Sequence, residues 1–144
     1  MAIIDKPSDY FNTILYSGTG SENARTGVNF QPDWVWIKQR NGSTNQMLTD
    51  SVRGATKTLH SQNTDTESTD AQALKSFNSD GFTVGTDGDV NTSSDTYVAW
   101  NWKKTADAGF DIVSYTGNGS ARTISHSLSA VPGWIIVKNR DEGE

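Results

Sequence analysis

The chain has 144 residues, enough for one domain or one domain with part of a second, and enough to bury a real core. Its net charge of −5 argues against a general nucleic-acid binder, which needs a basic stripe to meet phosphates, and fits a role in solubility. With no cysteine, stability must come from the core rather than from disulfides. Hydrophobic residues are only 33% of the chain, but five Trp, five Phe and four Tyr add area at roughly 150–250 Å² each. The opening residues 1–7 are too short and too polar for a signal peptide, and no apolar run is long enough to span a membrane. The expectation is a chain folded in a cytoplasm.

Residues 1–9 read as an N-terminal arm, with Pro7, Ser8 and Asp9 breaking early structure and Ile3 and Ile4 suited to docking on another subunit. Residues 10–16 read as a first strand, rich in aromatic and β-branched residues. After a turn at 17–21, residues 26–30 form a short alternating segment. Residues 32–40 are the bulkiest stretch of the chain, opened by Pro32 and closed by Asn41-Gly42. On a strand, Trp34, Trp36 and Lys38 point one way and Val35, Ile37 and Gln39 the other. Both faces begin apolar, as in a strand held between two layers.

Further along, residues 46–50 read as a strand, and 61–70, without an apolar side chain, as an exposed loop. Residues 69–75 hold one helical turn at most. The Asp80-Gly81 pair between Phe77 and Phe82 predicts a hairpin, and residues 85–91 a second turn. Residues 96–103 form the last clear strand of this unit, with Val98, Trp100 and Trp102 on one face. Residues 104–109 read as a linker, and 110–115 restart the pattern.

The restart is a repeat. Residues 16–21 match 115–120, Ala24-Arg25-Thr26 matches Ala121-Arg122-Thr123, and 32–40 match 132–140 with proline, the first tryptophan, lysine and arginine in place. An offset near 100 residues fits tandem domains rather than a solenoid. The organisation expected is an arm at 1–9, a β-sandwich repeat at 10–103, a linker at 104–109, and the opening strands of a second, truncated repeat at 110–144. The alternative is that these last residues complete the sheets of the first unit.

Four stretches, residues 30–38, 50–57, 76–85 and 97–103, together resemble a concanavalin A-like (LamG-like) repeat domain found in virion appendage proteins of marine bacteriophages. In order and spacing the resemblance covers nearly all of residues 10–103. It implies an all-β fold, a two-sheet antiparallel jelly-roll sandwich. It also implies a structural role in a virion, in a tail, tail fibre or capsid-surface appendage, assembled in the host cytoplasm. Partners would be other virion proteins, further copies of the chain in a homo-oligomer, and a host surface glycan, with no nucleic acid and no membrane insertion.

Candidate sites compete with plainer readings. Trp36, Trp100 and Trp102 would suit a sugar-stacking platform, but their apolar neighbours favour a core holding Trp34 or Trp36 against Trp100 or Trp102. Asp87, Asp89 and Asn91 alternate as calcium ligands do, yet Thr92 and Val98 stand where an EF-hand would need its sixth and twelfth residues. Arg53 reads as the anchor of a buried loop or as part of a partner interface, the anchor preferred. His60 and His126 are isolated, which argues against zinc, and the serines beside His126 do not make a triad. Glu22 and Glu67 lie in polar stretches, with no signature of a carboxylate pair, phosphate loop or nucleophile elbow. No catalytic residue, cofactor or metal site is therefore assigned. The expected function is structural with host adhesion, ahead of a lectin-like carbohydrate-binding module and, further behind, a glycan hydrolase.

Overall fold

Short runs of aromatic and β-branched residues, punctuated by Gly, Asn, Asp and Ser, make strands that must pair to bury their apolar faces. The computed structural model describes residues 4–142. Among these residues the strands are β1 (Phe11–Ser17), β2 (Asn23–Arg25), β3 (Trp34–Gln39), β4 (Met47–Asp50), β5 (Lys57–His60), β6 (Ser68–Thr69), β7 (Leu74–Asn78), β8 (Gly81–Val84) and β9 (Thr96–Trp102). A 3-10 turn at Pro7–Asp9 and a one-turn helix α1 (Gly88–Asn91) complete the regular structure. Two antiparallel sheets result, a six-stranded one in the order β1-β9-β3-β4-β5-β6 and a three-stranded one in the order β2-β8-β7. The molecule is a nearly all-β, two-sheet structure, consistent with a β-sandwich.

The core lies between the sheets. Tyr16, Val35, Ile37, Met47, Tyr97 and Ala99 enter it from the large sheet, Leu74, Phe82 and Val84 from the small one, and Val90 from α1. Tyr16 stands opposite Tyr97 across β1 and β9, and their rings stack at 5.2 Å. The hairpin expected at Asp80-Gly81 forms as β7 and β8. Gly81 has φ +143, and a Cβ there would sit 2.0 Å from the Arg25 carbonyl oxygen, so no larger residue fits.

The tryptophans are not in this core. In β3 the buried side chains are Val35, Ile37 and Gln39, while Trp34 and Trp36 lie half-buried on the opposite face. In β9 Tyr97, Ala99 and Asn101 turn inward, and Trp100 and Trp102 outward. The expected tryptophan core is therefore on the wrong side of the sheet. Both faces of β3 are apolar, so alternation alone does not decide which one meets the second sheet.

Other expectations also shift. Residues 26–30 are not a strand, because Gly27 (φ 88) and Asn29 (φ 73) take left-handed backbone and give their N–H groups to the Asp80 carboxylate at 3.0 and 2.6 Å. The strand before this loop is β2, and the loop itself buries Val28 and Phe30. Residues 69–75 hold no helix but a single turn closed by the Ala73 N–H on the Asp70 carbonyl at 3.4 Å, after which Leu74 is drawn into register with Val84. The loop at 61–70 contains β6, paired with β5. The turn expected at 85–91 contains α1, whose N-terminus is capped by the Asp87 carboxylate accepting from the Asp89 N–H. Beyond the bridge of Thr105 with Phe110, residues 111–142 form no strand, and the Glu67 N–H to the Arg140 carbonyl is a single backbone contact with the 61–70 loop. Of the N-terminal pair, Ile4 is exposed, and Ile3 lies outside the described residues.

Candidate functional site

The outward face of the large sheet carries an aromatic ladder set by strand register. Phe11 and Trp34 both stand opposite Trp102, and Trp36 stands opposite Trp100. Directly opposed side chains on one face are close enough to touch. Trp102 meets Phe11 at 4.9 Å and Trp34 at 5.1 Å between ring centroids. Trp36 packs against Trp100 edge to face at 5.6 Å and stacks on Trp34 at 6.3 Å. Leu48, opposite Trp36, and Leu59, opposite Leu48, extend this apolar surface toward the far edge. Leu15 is 62% exposed on the other side. The structure thus brings Trp36, Trp100 and Trp102 together on the outer face of the sheet rather than in the core between the sheets.

Residues 110–142 drape over part of the ladder. Phe110 stacks on Trp34 at 5.5 Å, and Ile112, Ile124 and Leu128 help to enclose the space above Trp34, Trp36 and Leu59. At its far end the segment leaves a cleft of about 420 Å³, floored by Trp34, Trp36 and Leu48 and rimmed by Ser61, Thr64, Lys138 and Asn139. The Trp36 Nε1–H is buried and has no acceptor among the described residues.

Two carboxylates hold the drape in place. Glu67 accepts from Arg140 Nε at 2.8 Å and Nη2 at 2.9 Å, and from Arg53 Nη1 at 3.1 Å. The hydrogen bonds from Arg140, followed by those from Arg53, hold the Glu67 carboxyl below its ordinary range despite partial burial. Arg140 is raised in turn by Glu67. Asp111, its side chain only 5% exposed, accepts from the Ser127 and Ile112 N–H groups at 2.6 and 2.8 Å and meets Lys104 Nζ at 3.2 Å. Burial pushes the Asp111 carboxyl up, but the hydrogen bonds from Ser127, Lys104 and Ile112 outweigh it and bring it down to about 2.

Arg53 is the anchor preferred from sequence. Its buried side chain joins Asp50, Glu67 and the Leu48 carbonyl at the corner after β4. Asp87, Asp89 and Asn91 serve α1 separately: Asp87 caps it, Asp89 accepts from the Asn45 side chain at 2.9 Å, and Asn91 ties neighbouring loops together. Burial, then the nearby Asp89 and Asp70 charges, push the Asp87 carboxyl up to about 6. Among the described residues no cluster of three or more His, Cys, Asp or Glu side chains is placed to hold a metal. His60 lies 3.7 Å from Asp65 and 3.9 Å from Asp89, and His126 Nδ1 accepts from the Leu128 N–H. Glu22 pairs with Lys75 at 2.5 Å, while Glu67 pairs with Arg53 and Arg140. Among the described residues no helix is long and apolar enough to cross a membrane. Sequence reasoning missed Glu67, Arg140 and Asp111 as fasteners. The only signal was that Arg140 repeats Arg40.

A family model described as a domain of unknown function (DUF7483) matches residues 6–144, and the chain belongs to that family. No curated protein and no solved structure matches the chain.

Proposed function

We propose that this member of the DUF7483 family is a structural component of a bacteriophage virion. It would sit in a tail, a tail fibre or a capsid-surface appendage, as a concanavalin A-like jelly-roll sandwich whose aromatic face meets a neighbouring virion protein or the host surface. The observation that carries the reading is where the four resembling stretches fall. They supply β3, the Asp50–Arg53 corner, the β7–β8 hairpin and β9, so they form the frame of the two sheets rather than converging on one reactive cleft. The aromatic ladder fits contact rather than chemistry, since stacked indoles offer apolar area and no nucleophile or acid. The test is to raise an antibody against residues 10–103 and apply it to density-purified particles of the phage that encodes the chain. Specific decoration under the electron microscope, with the chain found by mass spectrometry of the particles, is expected. Its absence from purified particles would refute the virion role.

A lectin-like module is the second reading, favoured by the cleft over Trp34 and Trp36 with Ser61, Thr64, Lys138 and Asn139 on its rim. An aromatic floor with polar groups around it suits a sugar. Saturable binding on a glycan array, lost in Trp36→Ala, would establish this reading. A blank array at high protein concentration would remove it.

A further inference from the structure

Residues 131–137 leave more apolar surface uncovered than any other stretch: Val131 is 93% exposed, Trp134 76%, Ile135 68%, Ile136 50% and Val137 70%. A contiguous apolar patch of this kind marks an interaction site. The backbone is equally unsatisfied. Among the described residues, no N–H or C=O of residues 131–139 has a backbone partner. Yet this stretch matches residues 32–40, whose strand β3 is paired on both sides, by β9 and by β4. A segment with the composition of a doubly paired strand thus lies as a single unpaired one.

We infer that residues 134–139 form the contact between two copies of this chain, pairing antiparallel with their own counterpart about a twofold axis. The area fits a second copy. At about 150–250 Å² for an aromatic side chain alone, the exposed side chains supply several hundred Å² per copy, on the scale of the ~800 Å² that each partner brings to a standard interface. The register follows from the pleat. Directly opposed residues share a face, so the pairing that keeps like faces together puts Ile136 against its own copy, Ile135 against Val137 and Trp134 against Lys138. That arrangement sets apolar side chains opposite one another and a cation beside an indole, both favourable cross-strand pairs. The inference does not rest on the virion or lectin reading, although Ile136, Val137, Lys138 and Asn139 also line the cleft over Trp34 and Trp36.

Sedimentation of the full chain tests it. The expected result is a dimer at micromolar concentration that becomes a monomer in the double variant Ile135→Lys, Val137→Lys. The melting temperature of the sandwich should be unchanged, since both side chains are mostly exposed. Because the chain has no cysteine, single cysteines report the register. Ile136→Cys should cross-link into a covalent dimer under mild oxidation, and Ile135→Cys and Val137→Cys much more slowly. A monomeric wild-type chain, a double variant as dimeric as wild type, or cross-linking indifferent to position would each overturn the inference.

Discussion

Arg140 and Glu67 grip each other three times. The guanidinium gives two hydrogen bonds to the carboxylate at 2.8 and 2.9 Å, and the Glu67 N–H gives one to the Arg140 carbonyl at 2.8 Å. Fork-to-fork pairing of this kind is geometrically specific as well as strong. It ties the end of the draping segment to the strip just before β6, 73 positions earlier in the chain.

The two partners should respond differently to removal. The Arg140 side chain is 38% exposed, so Arg140→Ala should cost the sandwich about 1 kcal/mol or less. It should nevertheless free residues 130–142, seen as faster amide exchange there. Glu67→Ala strips a partner from Arg53, whose side chain is only 6% exposed. Asp50 still pairs the cation, but the buried Nη1 donor loses its acceptor, so this variant should lose roughly 1–3 kcal/mol in urea unfolding. Equal losses in the two variants would show that the carboxylate does not support the Arg53 corner.

The placement of the core is tested by a second pair. Phe82 is fully buried between the sheets and touches Tyr16 edge to face at 6.3 Å. Phe82→Ala should cost about 3–5 kcal/mol. Trp100→Ala, on the half-buried outer face, should cost less than half as much despite the larger side chain. The reverse order would mean that the ladder, not the inter-sheet layer, is the hydrophobic centre.

That contrast also marks what the sequence could reveal. The strands at β3 and β9 were legible from their alternation, and the β7–β8 hairpin from Asp80-Gly81, because those signals are local. The facing of β3 was not legible, since Trp34 and Trp36 on one side and Val35 and Ile37 on the other are equally apolar. Residues 26–30 alternate like a strand, yet Asp80, some fifty positions away, bends them through Gly27 and Asn29. The α1 turn is too short to show helical periodicity. Of the site, Arg53 was readable as a loop anchor, whereas Glu67 sits in a stretch with nothing apolar to suggest burial, and its partner Arg140 comes from the far end of the chain.

Acid should loosen the drape through Asp111. Its folded-state value of about 2 lies below the ordinary carboxylate range. A lowered value means that the stabilisation is complete above about 4 and lost as pH falls from there through 2. The Ser127 amide resonance should titrate with a midpoint near 2 rather than near 4. Asp111→Asn should abolish that titration and leave residues 110–128 more open to protease at pH 7. An amide midpoint near 4 would place Asp111 in solvent.

Asp87 should act with the opposite sign. Its carboxyl is pushed up to about 6 by burial and then by the Asp89 and Asp70 charges. Between about 4 and 6 the folded form holds the proton more tightly than the unfolded chain, so stability from this group declines as pH rises through that window. Asp87→Asn keeps a side-chain acceptor for the Asp89 N–H and removes the charge. It should raise the melting temperature at pH 7.5 and leave it near wild type below about pH 4. The gain should stay under about 1 kcal/mol, because the group is only partly shielded from solvent. A variant less stable at pH 7.5 would mean that the capping bond depends on the charge.

The largest polar effect should come from Asn91, which is fully buried and uses every polar atom of its amide. Its Oδ1 accepts from the Thr19 N–H at 2.9 Å and from Asn23 Nδ2 at 3.0 Å. Its Nδ2 donates to the Ser21 carbonyl at 2.5 Å and to the Gly85 carbonyl at 2.6 Å. One side chain thereby fastens α1 to the β1–β2 turn and to the segment leaving β8. Asn91→Ala strips the Thr19 N–H and the Gly85 carbonyl of their partner, while the Ser21 carbonyl keeps Thr19 Oγ1 and Asn23 Nδ2 keeps the Ser17 carbonyl, and it should cost about 2–4 kcal/mol. Asn91→Asp separates the two halves of the network. It keeps the acceptors, but at neutral pH it aims a buried charge at two carbonyl oxygens, and only the protonated acid can donate to one of them. The folded state therefore raises the carboxyl's proton affinity, and stability should fall as pH rises from 5 to 8. Melting curves of wild type, Asn91→Ala and Asn91→Asp at both pH values decide it. Asn91→Asp should approach wild type at pH 5 and fall toward Asn91→Ala at pH 8. An aspartate variant insensitive to pH would show that solvent reaches the site and that the four bonds are not a closed set.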